Sequence, residues 1–416
     1  MATKQTGWDT SYEWKAVTLL GLGFGLVGLD RWIIAPLFPA MQKDLGLGYQ
    51  DIGNLVGALG IVWGIFAILS GRLSDKIGHR KILIPAILLF SLLSGFSGMA
   101  VGFASLLGIR GLMGMMEGSY CPTSFSATAA ASEPKRRGFN QGLQQSGFAL
   151  FGFGLAPIIA TQLLAVVPSW RWVFWVVAIP GIIIGVLLFF VLREPEKTQG
   201  GPMLGETVHK GHWAAIFGSR NVVLCMVALL CAMSCIFVLG GMLPNYLIDY
   251  LHLTPQQMGF VSSALGFGGF IGQFGVPGLS DMLGRRPVAI ISFVGAAVTV
   301  YLFSKLGPNP TMLFGMMFLV SFFSLGNVAL ITGPIATESA PPGLVTSAIG
   351  LVVGAGEIFG GGVAPVMGGY VAQHFGIQNI LLMPLVGVAL GALVCLGLKE
   401  TAPSKIGAPS PSMAHS

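Results

Sequence analysis

The chain has 416 residues, of which 54% are hydrophobic and only 9% charged, and its mean hydropathy is +0.79. A soluble globular protein carries about 25% charged residues, so a water-facing enzyme or binding domain is excluded. The formal charge of +6 does not point to nucleic acid either, because the basic residues lie in short links between apolar runs.

Those apolar runs are about 20 residues long, enough to cross roughly 30 Å of hydrocarbon. In chain order, spans are predicted at 15–39, 52–70, 82–103, 105–130, 140–166, 172–192, 221–247, 256–278, 288–305, 311–335, 346–372 and 378–398. Strands of a membrane barrel would be about ten residues long and alternate apolar with polar, which these runs do not. The expected fold is an all-α membrane protein with twelve transmembrane helices. The opening MATKQTGWDTSYEWK lacks the form of a cleaved signal peptide, so the first span is expected to direct insertion.

The links alternate in charge. One face collects Lys4, Lys15, Arg72, Lys76, Arg80, Lys81, Lys135, Arg136, Arg137, Arg193 and Lys197 from the first half and the link after it, whereas the other has only Lys43, Arg171 and Lys305 in the whole chain. The positive-inside rule then places both termini in the cytoplasm, and a multi-pass protein of a bacterial inner membrane is expected. All five cysteines fall within predicted spans, where a free thiol behaves as a small buried hydrophobe. With no histidine at ligand spacing from them, neither a metal nor another cofactor is expected.

The longest internal polar link, REPEKTQGGPMLGETVHKGH at 193–212, divides the chain into an N-terminal six-helix half (1–192) and a C-terminal one (213–398), with a tail at 399–416. GRLSDKIGHRK at 71–81 matches GLSDMLGRRP at 278–287, setting Asp75 against Asp281 at an offset of about 206. FGLAPIIA around Pro157 matches GGVAPVMG around Pro365, with Gly152 and Gly154 opposite Gly360 and Gly362, at about 208. Two matches at nearly one offset indicate duplicated halves, an architecture that holds substrate near the bilayer midplane between them.

The loop that reads Gly-x-x-Ser-Asp at 71–75 and Gly-x-Ser-Asp at 278–281, with its basic residues, resembles the signature of the major facilitator superfamily, and the twelve-span plan extends that resemblance over the whole chain. The resemblance implies gating roles for Gly71, Asp75 and Arg80 and for their counterparts Gly278, Asp281 and Arg285. The alternative for the basic residues is a plain positive-inside anchor.

Five ionisable residues other than histidine and cysteine fall within the spans: Asp30, Arg31, Arg110, Glu117 and Glu357. Each costs about 2.5–3.5 kcal/mol at a helix centre on translocon scales, so they point to function, with an ion-pair network that locks helices as the rival reading. Arg110 and Glu117 are two helical turns apart, on one face and about 10 Å apart along the axis. Asp30 and Arg31 splay by about 100°, so one faces substrate while the other leans toward a neighbouring helix, expected to be the fourth.

The stretch LDRWIIAPLFPAMQKDLGLGYQDIGNL with SLLGIRGLMGMMEGSYCPTSF resembles the anion:cation symporter branch of that superfamily, whose first span bears Asp-Arg and whose fourth bears Arg, then Glu-Gly, then Pro. Arg110, Gly114, Glu117, Gly118 and Pro122 match the fourth-span pattern. By resemblance, Arg31 binds a substrate carboxylate, Asp30 and Glu117 bind protons, and Arg110 supports them electrostatically. Gly28 stands where the branch commonly has tyrosine, and Trp32 and Ile33 where a polar residue follows the pair. Those departures remove hydroxyl partners for a sugar acid and favour a less hydroxylated carboxylate.

Gln144, Gln145, Asn245, Tyr246 and Asn327 are further polar candidates for substrate contact, with helix-to-helix hydrogen bonding the equal alternative. Glu357 has no counterpart in the branch pattern and aligns with Ala149, so it is an addition to the duplicated scaffold and a candidate third proton site. The expected function is proton-coupled import of a small organic anion by a monomer in the lipid bilayer. The alternative is proton-coupled efflux of a drug or metabolite, although the fifth span reads GFGLAPIIA and lacks the Gly-Pro dipeptide with paired glycines that superfamily antiporters tend to have. No nucleotide loop, metal cluster or nucleophile with a base suggests an enzyme.

Overall fold

The computed structural model describes residues 8–133, 137–193, 214–341, 345–402 and 405, with side chains except at 71–72, 75–76, 137–139, 214–215 and 345–347. Among the described residues it consists of helices and short links. Twelve segments have membrane length: α1 (Thr10–Leu45), α2 (Tyr49–Ile77), α3 (Arg80–Ser97), α4 (Phe103–Ala131), α5 (137–164), α6 (Trp170–Val191), α7 (Arg220–Tyr250), α8 (Pro255–Leu283), α9 (Arg285–Phe303), α10 (Pro310–Ser339), α11 (345–375) and α12 (Ile377–Leu396).

Eleven of these are apolar enough by themselves to cross a membrane. The exception is α4, which has the length but carries Arg110, Glu117 and a run of Ser, Thr and Gly. Arg110, Glu117, Thr123, Ser124 and Thr128 are buried rather than turned to lipid, which is how a bundle retains charges at membrane depth.

Within the first half, α1 packs on α4, α5 and α6, and α2 on α4; in the second, α7 packs on α11 and α12, and α8 on α10. The halves meet through α2 against α11 and α5 against α8. The offset of the sequence repeat exchanges these two pairs, as a pseudo-two-fold relation requires. Both contacts depend on missing side chains. A Cβ on Gly60 would lie 2.6 Å from the Gly361 carbonyl oxygen, and one on Gly266 would collide with the backbone of Gly154. Between lipid-embedded helices, such close backbone approach takes the place of the hydrophobic effect.

Helix regularity fails at particular prolines. Pro36 has no N–H to offer the Trp32 carbonyl, and α1 breaks at Ile33 into Thr10–Trp32 and Ile34–Leu45. Wider π-helical turns occur at Ala149–Leu155 in α5, just before Pro157, and at Gly356–Val363 in α11, just before Pro365. A third follows Pro244, and a fourth contains Pro334. The pair in α5 and α11 are repeat counterparts, and Glu357 sits in the second.

At the end opposite the termini, hydrogen bonds hold the halves together. The Gln373 side-chain oxygen accepts from the Tyr49 N–H (2.8 Å), Tyr49 Oη donates to Asp249 (3.0 Å), Gln50 donates to the Val366 carbonyl (3.1 Å), and Asn245 donates to Gln42 (2.9 Å).

Candidate functional site

Arg110 of α4 reaches the backbone just before the break in α1. Its Nη1 donates to the Arg31 carbonyl at 3.0 Å and, more weakly, to that of Asp30 at 3.4 Å, placing a cation at a helix C-terminus where the dipole favours it. Its Nε and Nη2 are buried with no hydrogen-bond partner.

This cap fixes the two side chains at the break. Asp30 turns to α3, where Ser94 Oγ donates to its Oδ1 at 2.9 Å. The neighbour is therefore the third helix and not the fourth; the fourth contributes through the backbone, by way of Arg110. Arg31 points into the interface between the halves, and its Nη2 donates to Glu357 Oε2 of α11 at 3.2 Å. The ion pair is almost fully buried, and Arg31 Nε and Nη1 have no partner.

Aromatic rings enclose the Arg31 guanidinium. Phe237 of α7, Trp63 of α2 and Trp32 lie 4.8, 5.6 and 5.7 Å from it, within cation–π range. Trp32 also packs on Phe153 of α5 at 4.4 Å between ring centres and on Phe237 at 5.2 Å. The wall thus draws on both halves. Gly118 admits Trp63, since a Cβ there would meet the Trp63 backbone. Neither indole N–H has a hydrogen-bond partner.

Glu117 is 0% exposed and within electrostatic range of Arg31, Asp30 and Arg110, yet both its carboxylate oxygens lack a hydrogen-bond donor. A buried carboxyl group without donors is costly as an anion, so the arrangement suits one that takes up a proton. The structure therefore brings together Asp30, Arg31, Arg110, Glu117 and Glu357 from α1, α4 and α11. Chemically it offers a guanidinium with free donors, carboxyl groups able to hold protons and flat apolar walls.

The other candidates divide. Gln144 is buried beside the charged helices, donates to Ser124 Oγ at 2.8 Å and keeps an unpartnered oxygen. Gln145 is exposed, on another face of α5. Asn245 bonds Gln42 and Asp249 at the end opposite the termini, Tyr246 packs between Tyr250 and Phe303, and Asn327 donates to the Ala289 carbonyl of α9 at 3.3 Å. These three make contacts between helices, and Asn245 and Asn327, like Gln144, keep an unpartnered side-chain oxygen. Phe237, Phe153 and Ser94 carry no signal in the sequence, since a Phe or Ser in an apolar span is ordinary. The glycine at position 28 has a local reason: a Cβ there would lie 2.6 Å from the Phe148 carbonyl oxygen, so the tyrosine of the related pattern has no room.

Of the loop residues, the side chains of Gly71 and Asp75 lie outside those described. Arg80 donates to the Phe189 carbonyl of α6 at 2.5 Å and lies over that ring. In the second half, Gly278 faces open space, so close helix approach does not require it. Arg285 pairs with Asp281 at 2.5 Å and Glu338 at 2.8 Å and donates to Ser280 Oγ at 2.7 Å, tying α8, α9 and α10 together at the terminal end.

The chain matches the Major Facilitator Superfamily over residues 20–275 and 225–414. It is 29% identical over 388 residues to a probable 4-methylmuconolactone transporter of Cupriavidus pinatubonensis, covering 91% of this chain and 89% of that one. It is 30% identical over 249 residues to a hexuronate transporter of Bacillus subtilis, covering 59% and 58% respectively, and 24% identical over 394 residues to a D-galactonate transporter of Escherichia coli, covering 88% and 90%. Among solved structures, a bacterial homologue of the human lysosomal transporter Spinster superimposes with a TM-score of 0.78 at 16% identity, over 97% of this chain and 100% of that one. The chain is a multi-pass integral membrane protein of the major facilitator superfamily, similar to its organic-acid transporters.

Proposed function

We propose that the protein is a proton-coupled symporter that imports a small organic anion by alternating access, in a bacterial inner membrane with both termini cytoplasmic. The observation that carries this reading is the buried Arg31 guanidinium, set between the halves with two nitrogens free of protein partners. A guanidinium fork binds a carboxylate bidentately and keeps its charge throughout. Arg110 is the positioning residue that fixes the α1 break, and Gln144 has an oxygen available to a substrate hydroxyl. Asp30 and Glu117 are the proton sites, with Glu357 a third titratable group facing the same cation.

The walls narrow the substrate. Trp32, Trp63 and Phe237 suit a flat, sparsely hydroxylated body, and their unpartnered indole N–H groups suit a ring carbonyl or hydroxyl. That chemistry matches an aromatic or lactone carboxylate better than a sugar acid, whose many hydroxyls outnumber these few partners. The relative named for 4-methylmuconolactone supports this choice. The loops at 71–81 and 278–287, with Asp75, Arg80, Asp281 and Arg285, act as gates at the cytoplasmic end.

Tracer uptake of benzoate, muconolactone and galactonate into proteoliposomes with an acidic exterior tests the reading. Accumulation of a planar carboxylate beyond that in protein-free liposomes under the same gradient, abolished by a protonophore, is the expected result. Accumulation of galactonate alone would overturn the substrate class, and extrusion instead of uptake would favour the efflux alternative.

A further inference from the structure

Glu357 is absent from the duplicated scaffold, in which its counterpart is Ala149, and it reaches from the opposite half to the guanidinium proposed to hold substrate. It occupies one terminal nitrogen of Arg31, at 3.2 Å, and leaves the rest of the fork free. The bridge joins α1 to α11 beside the α2–α11 contact, where a Cβ on Gly64 of α2 would lie 3.6 Å from the Glu357 Cβ. Those same helices close the end opposite the termini. Asp30 is turned to Ser94, and Glu117 makes no hydrogen bond to Arg31, so neither neutralises that cation by direct contact.

We infer that Glu357 is a built-in stand-in for the substrate carboxylate, cancelling the Arg31 charge so that the substrate-free protein can close the end opposite its termini. The inference rests on the assignment of Arg31 to the substrate carboxylate. Closure buries Arg31 between the halves, and an arginine cannot shed its charge there. Bound anion or Glu357 removes the obstacle. A carrier with such a stand-in completes its cycle empty and performs net transport; without it, the carrier closes only when loaded and exchanges anion for anion.

The test needs no known substrate. Spin labels on Lys43→Cys and Gln256→Cys, exposed positions on opposite halves at that end, report closure of the full-length protein in nanodiscs by electron–electron resonance. With no anion present, the parent protein should populate the short distance, and Glu357→Gln should reduce that population at least about tenfold. The double variant Arg31→Gln, Glu357→Gln has no charge to cancel and should regain it. Arg31→Gln alone should also close, because a lone carboxyl can take a proton. An unchanged distance distribution in Glu357→Gln would overturn the inference. So would failure of the double variant to close, or loss of closure in Arg31→Gln, either of which would make the bridge a mechanical tie. Arg31→Gln and the double variant decide the matter if Glu357→Gln does not fold. Failure of the transport reading would instead appear as absent uptake with these distances unaffected.

Discussion

A guanidinium in an apolar bundle is held by whatever donors and acceptors surround it, and at Arg31 these are one carboxylate oxygen and three rings. Lysine would keep the charge but lose the planar fork and its stacking. Arg31→Lys should therefore weaken binding of a planar carboxylate at least about tenfold, as isothermal titration would measure; unchanged affinity would move the anion site to Arg110. A second prediction concerns Glu400, beyond α12. Partial burial raises its pKa, but N–H groups of Ala402, Arg285, Arg286 and Thr401 donate to its carboxylate at 2.8–3.2 Å and together hold it below the usual value. A carboxyl group depressed in the folded state stabilises the protein above its unfolded pKa, about 4.3, and loses that contribution as pH falls through the folded value. Glu400→Gln should thus lower the melting temperature at pH 7, and the gap to the parent should narrow below about pH 4. A gap constant with pH would show that the carboxylate charge is not involved.

The five intramembrane charges were legible in the sequence because such residues are rare at membrane depth. Their pairing was not. Arg31 and Glu357 are 326 residues apart, and no local spacing relates them. Asp30 found Ser94 because the rotation between consecutive residues fixes their splay but not which helix lies in each direction.

At the level of helices, the predicted spans coincide with all twelve segments, although α4 is not apolar enough by itself to cross a membrane, while their irregularities depended on what neighbouring helices could compensate. Pro36 breaks α1, whereas Pro157 and Pro365 are accommodated by π-helical turns. The first half of α2 packs on α11 through glycines, with the Gln50 and Gln373 ends adjacent. Alternating access requires these ends to separate. In a background with the five buried cysteines replaced, Gln50→Cys and Gln373→Cys joined by a short thiol cross-linker should abolish transport, with recovery on cleaving a reducible linker. Transport that persists in quantitatively cross-linked protein would exclude separation of α2 from α11 as part of the cycle.

For the whole molecule, the central claim is that anion and proton move together through one site between two halves. The halves were visible as a repeat, since Asp75 and Pro157 find Asp281 and Pro365 at nearly one offset; their mode of contact, α2 on α11 and α5 on α8, is the arrangement a pseudo-two-fold makes of it. The most direct measurement is the pH inside proteoliposomes, read by a trapped dye when benzoate or muconolactone is added outside with no pH gradient imposed and with protein-free liposomes as the control for passive entry. The account predicts acidification beyond that control in step with uptake, and its loss in Glu117→Gln while exchange of labelled for unlabelled anion survives. Uptake with no protein-dependent pH change, or with alkalinisation, would contradict it.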